Sequence, residues 1–290
     1  MVASIPSAIV QEVEAHTNST IKGFSFASGG CINQGGRLTT SRGAYFIKWN
    51  ELKKFPDMFA AEARGLALLR ESNSLMVPEV IYAGNSGSFQ FLLLEYVDGG
   101  RRGRNYWKNL GLGLADLHKN IFNEFGLDFD NYIGSLPQVN ERSSSWVEFL
   151  IERRLRIQLK KARDAGRIDS GLIKKFDVLF SKLPLLLPEE HPSLLHGDLW
   201  GGNVMTTSKG EPCLIDPAVY FGHREVDLAM TQLFGGFDST FLENYEEVYP
   251  LLPGWQERFD LYNLYPLLVH VNLFGGGYKS QVVSILNRFV

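Results

Sequence analysis

At 290 residues, 44% apolar and 21% charged, the chain has room for one large domain or two lobes and for a core that needs no staples. A formal net charge of −3 without a basic stripe argues against a nucleic-acid or membrane-surface binder. Two cysteines, Cys31 and Cys213, make no disulfide scaffold, and neither a basic–apolar leader nor an apolar run of ~20 residues is present, so a reducing, cytoplasmic setting is expected.

In chain order, residues 5–15 read as a short helix. Residues 24–26, 37–40 and 44–49 read as strands around glycine turns, the first two joined by SGGCINQGG (28–36). Residues 57–70 form a helix with Phe59, Ala63, Leu66 and Leu69 on one stripe. Residues 78–82 and 89–96 read as two further strands. After Val97-Asp98-Gly99-Gly100 the pattern turns helical, over 105–119, 145–165, 169–182, 225–234 and 253–274. Ser145 with Glu148 fits a capping box, Pro266 should kink or divide the last helix, and the Arg153-Arg154-Leu155-Arg156 cluster reads as a solvated helix face. The expectation is an α+β chain in two lobes: 1–97, an antiparallel sheet with one main helix, and 98–290, mostly helical.

The most specific stretch is HGDLWGGN (196–203) followed by Asp216 in LIDP. HGD alone fits an ordinary turn. Asn203 and Asp216 add the spacing of a kinase catalytic loop, H-R-D-x-x-x-x-N, with a metal-binding Asp beyond it. The chemistry accounts for that set. One carboxylate, Asp198, takes the proton of an attacking hydroxyl, while Asn203 and Asp216 hold Mg²⁺ on the phosphates of ATP. His196 and His118 are expected to brace the structure.

The matching nucleotide end is Lys48, one charge in the apolar strand AYFIKW, with Glu62 on the next helix as its partner; Glu51 lies too close to Lys48 to compete. Gly29, Gly30 and Cys31 lie in a loop that departs from G-x-G-x-x-G yet can offer backbone N–H groups to phosphates. Glu95, Tyr96 and Val97 fit the linking segment whose backbone would meet the adenine edge. Only about ten residues separate Asp216 from the helix at Glu225, and no A-P-E motif follows, so the acceptor is expected to be a small molecule or a small group on a larger one.

On HGDLWGGN with Trp200, DNYIGSLPQ, EVDLAMTQLFGGF and LYNLYPLLVHVNLFGGGY, the chain resembles the fructosamine kinase (ketosamine 3-kinase) family over nearly its whole length. Aminoglycoside and choline kinases share only the H-G-D-x-x-x-x-N part. The resemblance implies a protein-kinase-like fold and phosphorylation of O3 on ketosamines, from which the sugar is then lost, with ribulosamine and erythrulosamine adducts favoured over fructosamine. Trp200, His223, Arg224 and Asp227 are expected near the acceptor, with core filling as the alternative for Trp200 and pairing or helix capping as that for Arg224 and Asp227. Cys31 is either a small residue in a tight loop or the site of a redox-dependent homodimer. Another small-molecule kinase activity, or a non-catalytic binding protein on the same fold, are the competing functions.

Overall fold

A computed structural model describes residues 5–27 and 33–290. In chain order the elements are α1 (Ser7–Thr17), β1 (Ile21–Phe26), β2 (Gln34–Thr40), β3 (Gly43–Glu51), α2 (Met58–Glu71), β4 (Val80–Ser86), β5 (Phe89–Glu95), α3 (Tyr106–His118), β6 (Asn131–Ile133), β7 (Leu136–Gln138) and α4 (Trp146–Phe149). A π-helical segment, Leu150–Leu155, leads into α5 (Arg156–Asp164), α6 (Ser170–Leu186), β8 (Ser193–Leu195), β9 (Val204–Thr206), β10 (Pro212–Leu214), β11 (Tyr220–Gly222), α7 (Glu225–Leu233), α8 (Ser239–Val248), α9 (Trp255–Phe274) and α10 (Tyr278–Phe289). Among the described residues no helix is long and apolar enough to cross a membrane.

The chain forms two compact units, Met1–Tyr106 with Met205–Asp216, and Trp107–Val204 with Pro217–Val290. The first holds a five-stranded antiparallel sheet in the order β1-β2-β3-β5-β4. Strand alternation sorts its two faces. Leu38, Ile47, Trp49, Phe91 and Leu93 point to one side, where Ile5, Ile9 and Val13 of α1 and its lead-in complete a core cluster. Lys48, Asn50 and Gln90 serve the other side, towards α2: Asn50 Nδ2 donates to Met58 Sδ at 3.2 Å, and Gln90 Oε1 accepts from the Phe59 N–H. The β9–β10 hairpin joins this unit through Leu214 N–H to Met76 O (2.9 Å), Gly100 N–H to Thr206 O (3.0 Å) and Gly103 N–H to Gly210 O (3.0 Å).

The second unit is mainly helical. Its centre is α9, apolar on nearly every side, with α5, α7 and α10 packed against it. The α+β architecture is the expected one. Three local expectations change. Pro266 does not divide α9, which runs unbroken from Trp255 to Phe274. Ser145 Oγ accepts from the Glu148 N–H at 3.3 Å, but the Glu148 carboxylate turns to Ser143 Oγ at 2.9 Å, so only half of the capping box forms. Arg154, expected on a solvated face, is fully buried. The π-helical turn that contains it changes the phase of the helix. Its guanidinium lies between the rings of Phe149 (4.5 Å) and Tyr220 (4.1 Å) and donates to Asn140 Oδ1 at 2.7 Å.

Candidate active site

In the first unit, Lys48 sits mid-strand, opposite Gly35 of β2 and Leu92 of β5. A Cβ on Gly35 would come within 3.2 Å of Lys48 Cγ, so the glycine leaves room for the lysine stem. Lys48 is buried and pairs with two carboxylates, Glu62 Oε1 of α2 and Asp216 Oδ1 at 2.8 Å. Burial alone would pull its ammonium down, but Asp216 and Glu62 more than offset it and hold Lys48 above the ordinary lysine range. Burial pushes the Glu62 carboxyl up and Lys48 draws it back. Glu51 is exposed at the end of β3. Asp216 has φ +53°, a left-handed conformation that costs a non-glycine residue energy, and its side chain is 51% exposed.

Glu95 closes β5. Its N–H donates to Glu79 O at 2.9 Å and its Oε2 accepts from the Glu79 N–H at 3.2 Å, so its side chain serves the structure. The Tyr96 ring lies under the Arg37 guanidinium at 4.7 Å, and Val97 is buried. Gly29, Gly30 and Cys31 lie outside the described residues.

In the second unit, β8 pairs with β11 and delivers the loop from His196. Gly197 has φ +81°, and a Cβ there would lie 2.1 Å from Ala218 O, so no other residue fits. His196 is fully buried, and its Nδ1 accepts from the Asp198 N–H at 3.3 Å. Beyond Asp198 a turn folds back, with Trp200 N–H donating to Asp198 O at 3.1 Å and a 3₁₀ turn over Gly201–Asn203. Asn203 Nδ2 donates to Asp198 O (2.8 Å) and Asp198 Oδ2 (3.0 Å). Those two bonds fix the amide orientation and put Oδ1 on the opposite edge. Asn203 Oδ1 and the half-exposed Asp216 carboxylate are hard oxygen donors, the kind Mg²⁺ takes.

Behind this loop, Asp227 of α7 accepts from the N–H groups of His196 and Gly197 and from His118 Nε2 at 3.2 Å. His118 Nδ1 meets Tyr245 Oη at 2.8 Å. Arg224 is buried, forks onto Glu190 at 2.8 and 2.9 Å and donates to the carbonyls of Tyr249 and Pro250, each at 2.7 Å. His223 is buried against the Tyr262 ring at 5.2 Å, and burial lowers its pKa to about 4. Glu225 forks onto Arg258 of α9. Of the four residues expected near the acceptor, only Trp200 is exposed. The DNYIGSLPQ stretch is the β6–β7 hairpin, pinned to the segment after Asp216 by Asn131 Nδ2 to Val219 O (2.8 Å) and Gln138 Nε2 to Ala218 O (3.1 Å). Tyr245, which backs His118, and Glu190 and Arg258, which pair with Arg224 and Glu225 at the start of α7, carry no motif that would have marked them.

The sequence model of the fructosamine kinase family matches residues 4–290. A "Probable ketoamine kinase" of Synechocystis is 42% identical over 264 residues, 90% of this chain and 88% of the relative. The chloroplastic protein-ribulosamine 3-kinase of Arabidopsis thaliana is 41% identical over 270 residues, 90% of this chain and 81% of the relative. A Haemophilus somnus 129PT protein, named as a candidate fructosamine-3-kinase, has a crystal structure that superposes with a TM-score of 0.88 at 32% identity, covering 98% of this chain and 97% of that one.

Proposed function

The chain belongs to the fructosamine kinase family, and we propose that it transfers the γ-phosphoryl group of ATP to O3 of a ketosamine carried on an amine such as lysine. The hydroxyl O–H bond breaks as the new O–P bond forms; ADP departs and one proton is released. Asp198 orients the acceptor hydroxyl and takes its proton. Asn203 holds the Asp198 carboxylate and offers its amide oxygen to a divalent cation, for which Asp216 is a second oxygen ligand. When bound, the cation, Mg²⁺ in this reading, would offset the negative charge that builds up on the transferring phosphoryl group. Lys48, kept charged by Glu62 and Asp216, is the protein's own cation for the phosphates.

The observation that carries the reading is the Asn203–Asp198 bond, since it sets an acceptor carboxylate and an oriented amide on one short loop. Ketosamine as the acceptor class is supported by the names of the two relatives above. An aminoglycoside- or choline-type activity, or a binding role without catalysis, has no observation in its favour. The test is to incubate the protein with Mg-ATP and ribulose-, erythrulose- or fructose-lysine and to identify the phosphorylated carbon by NMR. Phosphate on C3 of at least one of them is expected; turnover of none refutes the proposal. A reducing cytoplasmic setting belongs to the same reading, as does a homodimer linked through Cys31 on oxidation. Sizing the native protein and Cys31→Ala with and without reductant tests the dimer.

A further inference from the structure

The surface beside the catalytic loop carries a row of rings that neither Asp198 nor its bracing uses. Trp200, 41% exposed, stands edge-on to Phe234 at 6.1 Å between ring centres. Phe234, 39% exposed, lies 4.8 Å from the His270 ring. His270 lies 4.9 Å from Tyr278 and 5.5 Å from Phe274, itself 57% exposed. The rings come from the catalytic loop, the end of α7, the last turns of α9 and the start of α10. All belong to the second unit. Contiguous exposed aromatics of this kind mark binding surfaces more than cores.

Two glycine stretches border the row. Gly235, Gly236, Gly275 and Gly276 have positive φ, and a Cβ added at any of them would meet nothing within 4 Å. The row is continuous with the catalytic loop, since a Cβ on Gly201 would lie 3.7 Å from Gly235 O. It therefore begins two residues from Asp198 and runs outward over an uncrowded surface.

His270 adds one polar atom. Its Nδ1 lies 2.8 Å from Pro266 O. A carbonyl only accepts, so Nδ1 carries the proton, and burial lowers the pKa and keeps the ring neutral near pH 7. Nε2 is then a bare acceptor, with no hydrogen-bond partner among the described residues. Aromatic faces attract alkylammonium and aliphatic groups, and a single acceptor takes one N–H. That combination suits a protonated secondary amine on a carbon chain, which is what joins the sugar of a ketosamine to lysine.

Resting on the ketosamine kinase reading, we propose that Phe234, His270 and Tyr278 extend Trp200 into the subsite for the amine half of the acceptor: the secondary ammonium and lysine stem of a glycated polypeptide. Three successive ring-to-ring steps, from Trp200 through Phe234 and His270 to Tyr278, reach further than a sugar alone. The enzyme is accordingly built to prefer a ketosamine on a peptide over one on a small amine.

Steady-state kinetics with two acceptors test this: the best ketosamine sugar carried on methylamine, and the same sugar carried on lysine in a blocked peptide. The wild type should show higher kcat/KM for the peptide. Phe234→Ala and His270→Ala should each cut that preference about tenfold, the size of a desolvated cation–π contact, through the KM of the peptide and not that of ATP. His270→Gln, which keeps an acceptor, should recover part of it, and Phe274→Ala, at an exposed site where folding is not at stake, should give a smaller cut. An unchanged preference in the alanine variants, or a loss confined to kcat, overturns the subsite. Turnover of neither acceptor by the wild type overturns the ketosamine reading itself, and is seen before any variant is made.

Discussion

The two carboxylate oxygens of Asp227 accept the backbone N–H groups of His196, at 2.7 Å, and Gly197, at 2.9 Å. Both donors and the carboxylate are buried, and His118 closes the group from behind. The backbone that leads to Asp198 is thus held by one side chain from the following helix.

Asp227→Asn should be costly at this point. The amide keeps one acceptor oxygen but turns an NH₂ group towards a backbone donor. Leaving buried donors unmatched costs about 1–3 kcal/mol, to be read as a lower denaturation midpoint. Misplacing the loop should lower kcat on the order of a hundredfold while the KM for ATP stays near that of the wild type. Normal kcat in a folded Asp227→Asn protein would contradict this role.

Replacing Lys48 by Met leaves Glu62 and Asp216 without their shared cation. The expected loss in kcat/KM is on the order of a hundredfold or more, with a raised KM for ATP. The pH dependence follows from the raised pKa of Lys48. A cation whose folded pKa lies above its unfolded value contributes stability that is fully present below the unfolded pKa and is lost only as pH rises through the folded one. The stability gap between wild type and Lys48→Met should therefore not narrow from pH 6 to 9, and should narrow only above about 10.4. Denaturant titrations of both proteins across that range measure it.

Asp198→Asn and Asn203→Ala separate the proposed proton acceptor from its holder. Asp198→Asn should lower kcat by at least about a hundredfold at any metal concentration. Asn203→Ala removes two hydrogen bonds to Asp198 and the proposed oxygen ligand, so its defect should be partly relieved by raising Mg²⁺. A metal titration of kcat in which Asn203→Ala behaves like wild type would exclude the amide as a ligand.

His223 predicts an acid-side loss of stability. Its folded pKa is near 4, below the ~6.5 of an exposed histidine. Between those values the unfolded chain takes up a proton that the folded one does not, so stability falls as pH drops from about 6.5 and the loss levels off below about 4. The full contribution is on the order of 3 kcal/mol. His223→Asn, which keeps an acceptor for the Glu225 N–H, should flatten this part of the stability–pH curve. An unchanged curve would place the acid sensitivity elsewhere.

What could be read from residues alone followed the range of the interaction. The sheet and α2 were legible because alternation and a 3.6-residue stripe are local. Lys48 and Glu62 were legible as a pair because they sit on consecutive elements. The π-helical turn was not: an Arg-rich run reads as solvated unless the phase of the helix changes beneath it, and that change buries Arg154. The β6–β7 hairpin has too few residues for a period, and its Asn131 and Gln138 are spoken for by distant carbonyls. α8 and α10 pass unnoticed because their sequences, STFLENYEEV and YKSQVVSILNRF, bury only a few residues each. Asp227 looks like a helix-capping acid until the backbone it holds is folded against it.

The route of the chain bears on how the protein is made. The first unit borrows Met205–Asp216 from far along the sequence, and with it the hairpin that receives Met76 and Gly100 and the second carboxylate on Lys48. On a ribosome, Tyr106 emerges long before Asp216 does. Until then the nascent sheet has a lysine with one counter-charge and backbone groups still awaiting their strand. Completion of the first unit is therefore a late event in synthesis, and a gene fragment ending near Tyr106 should yield a chain that seeks chaperones instead of an independently folded module.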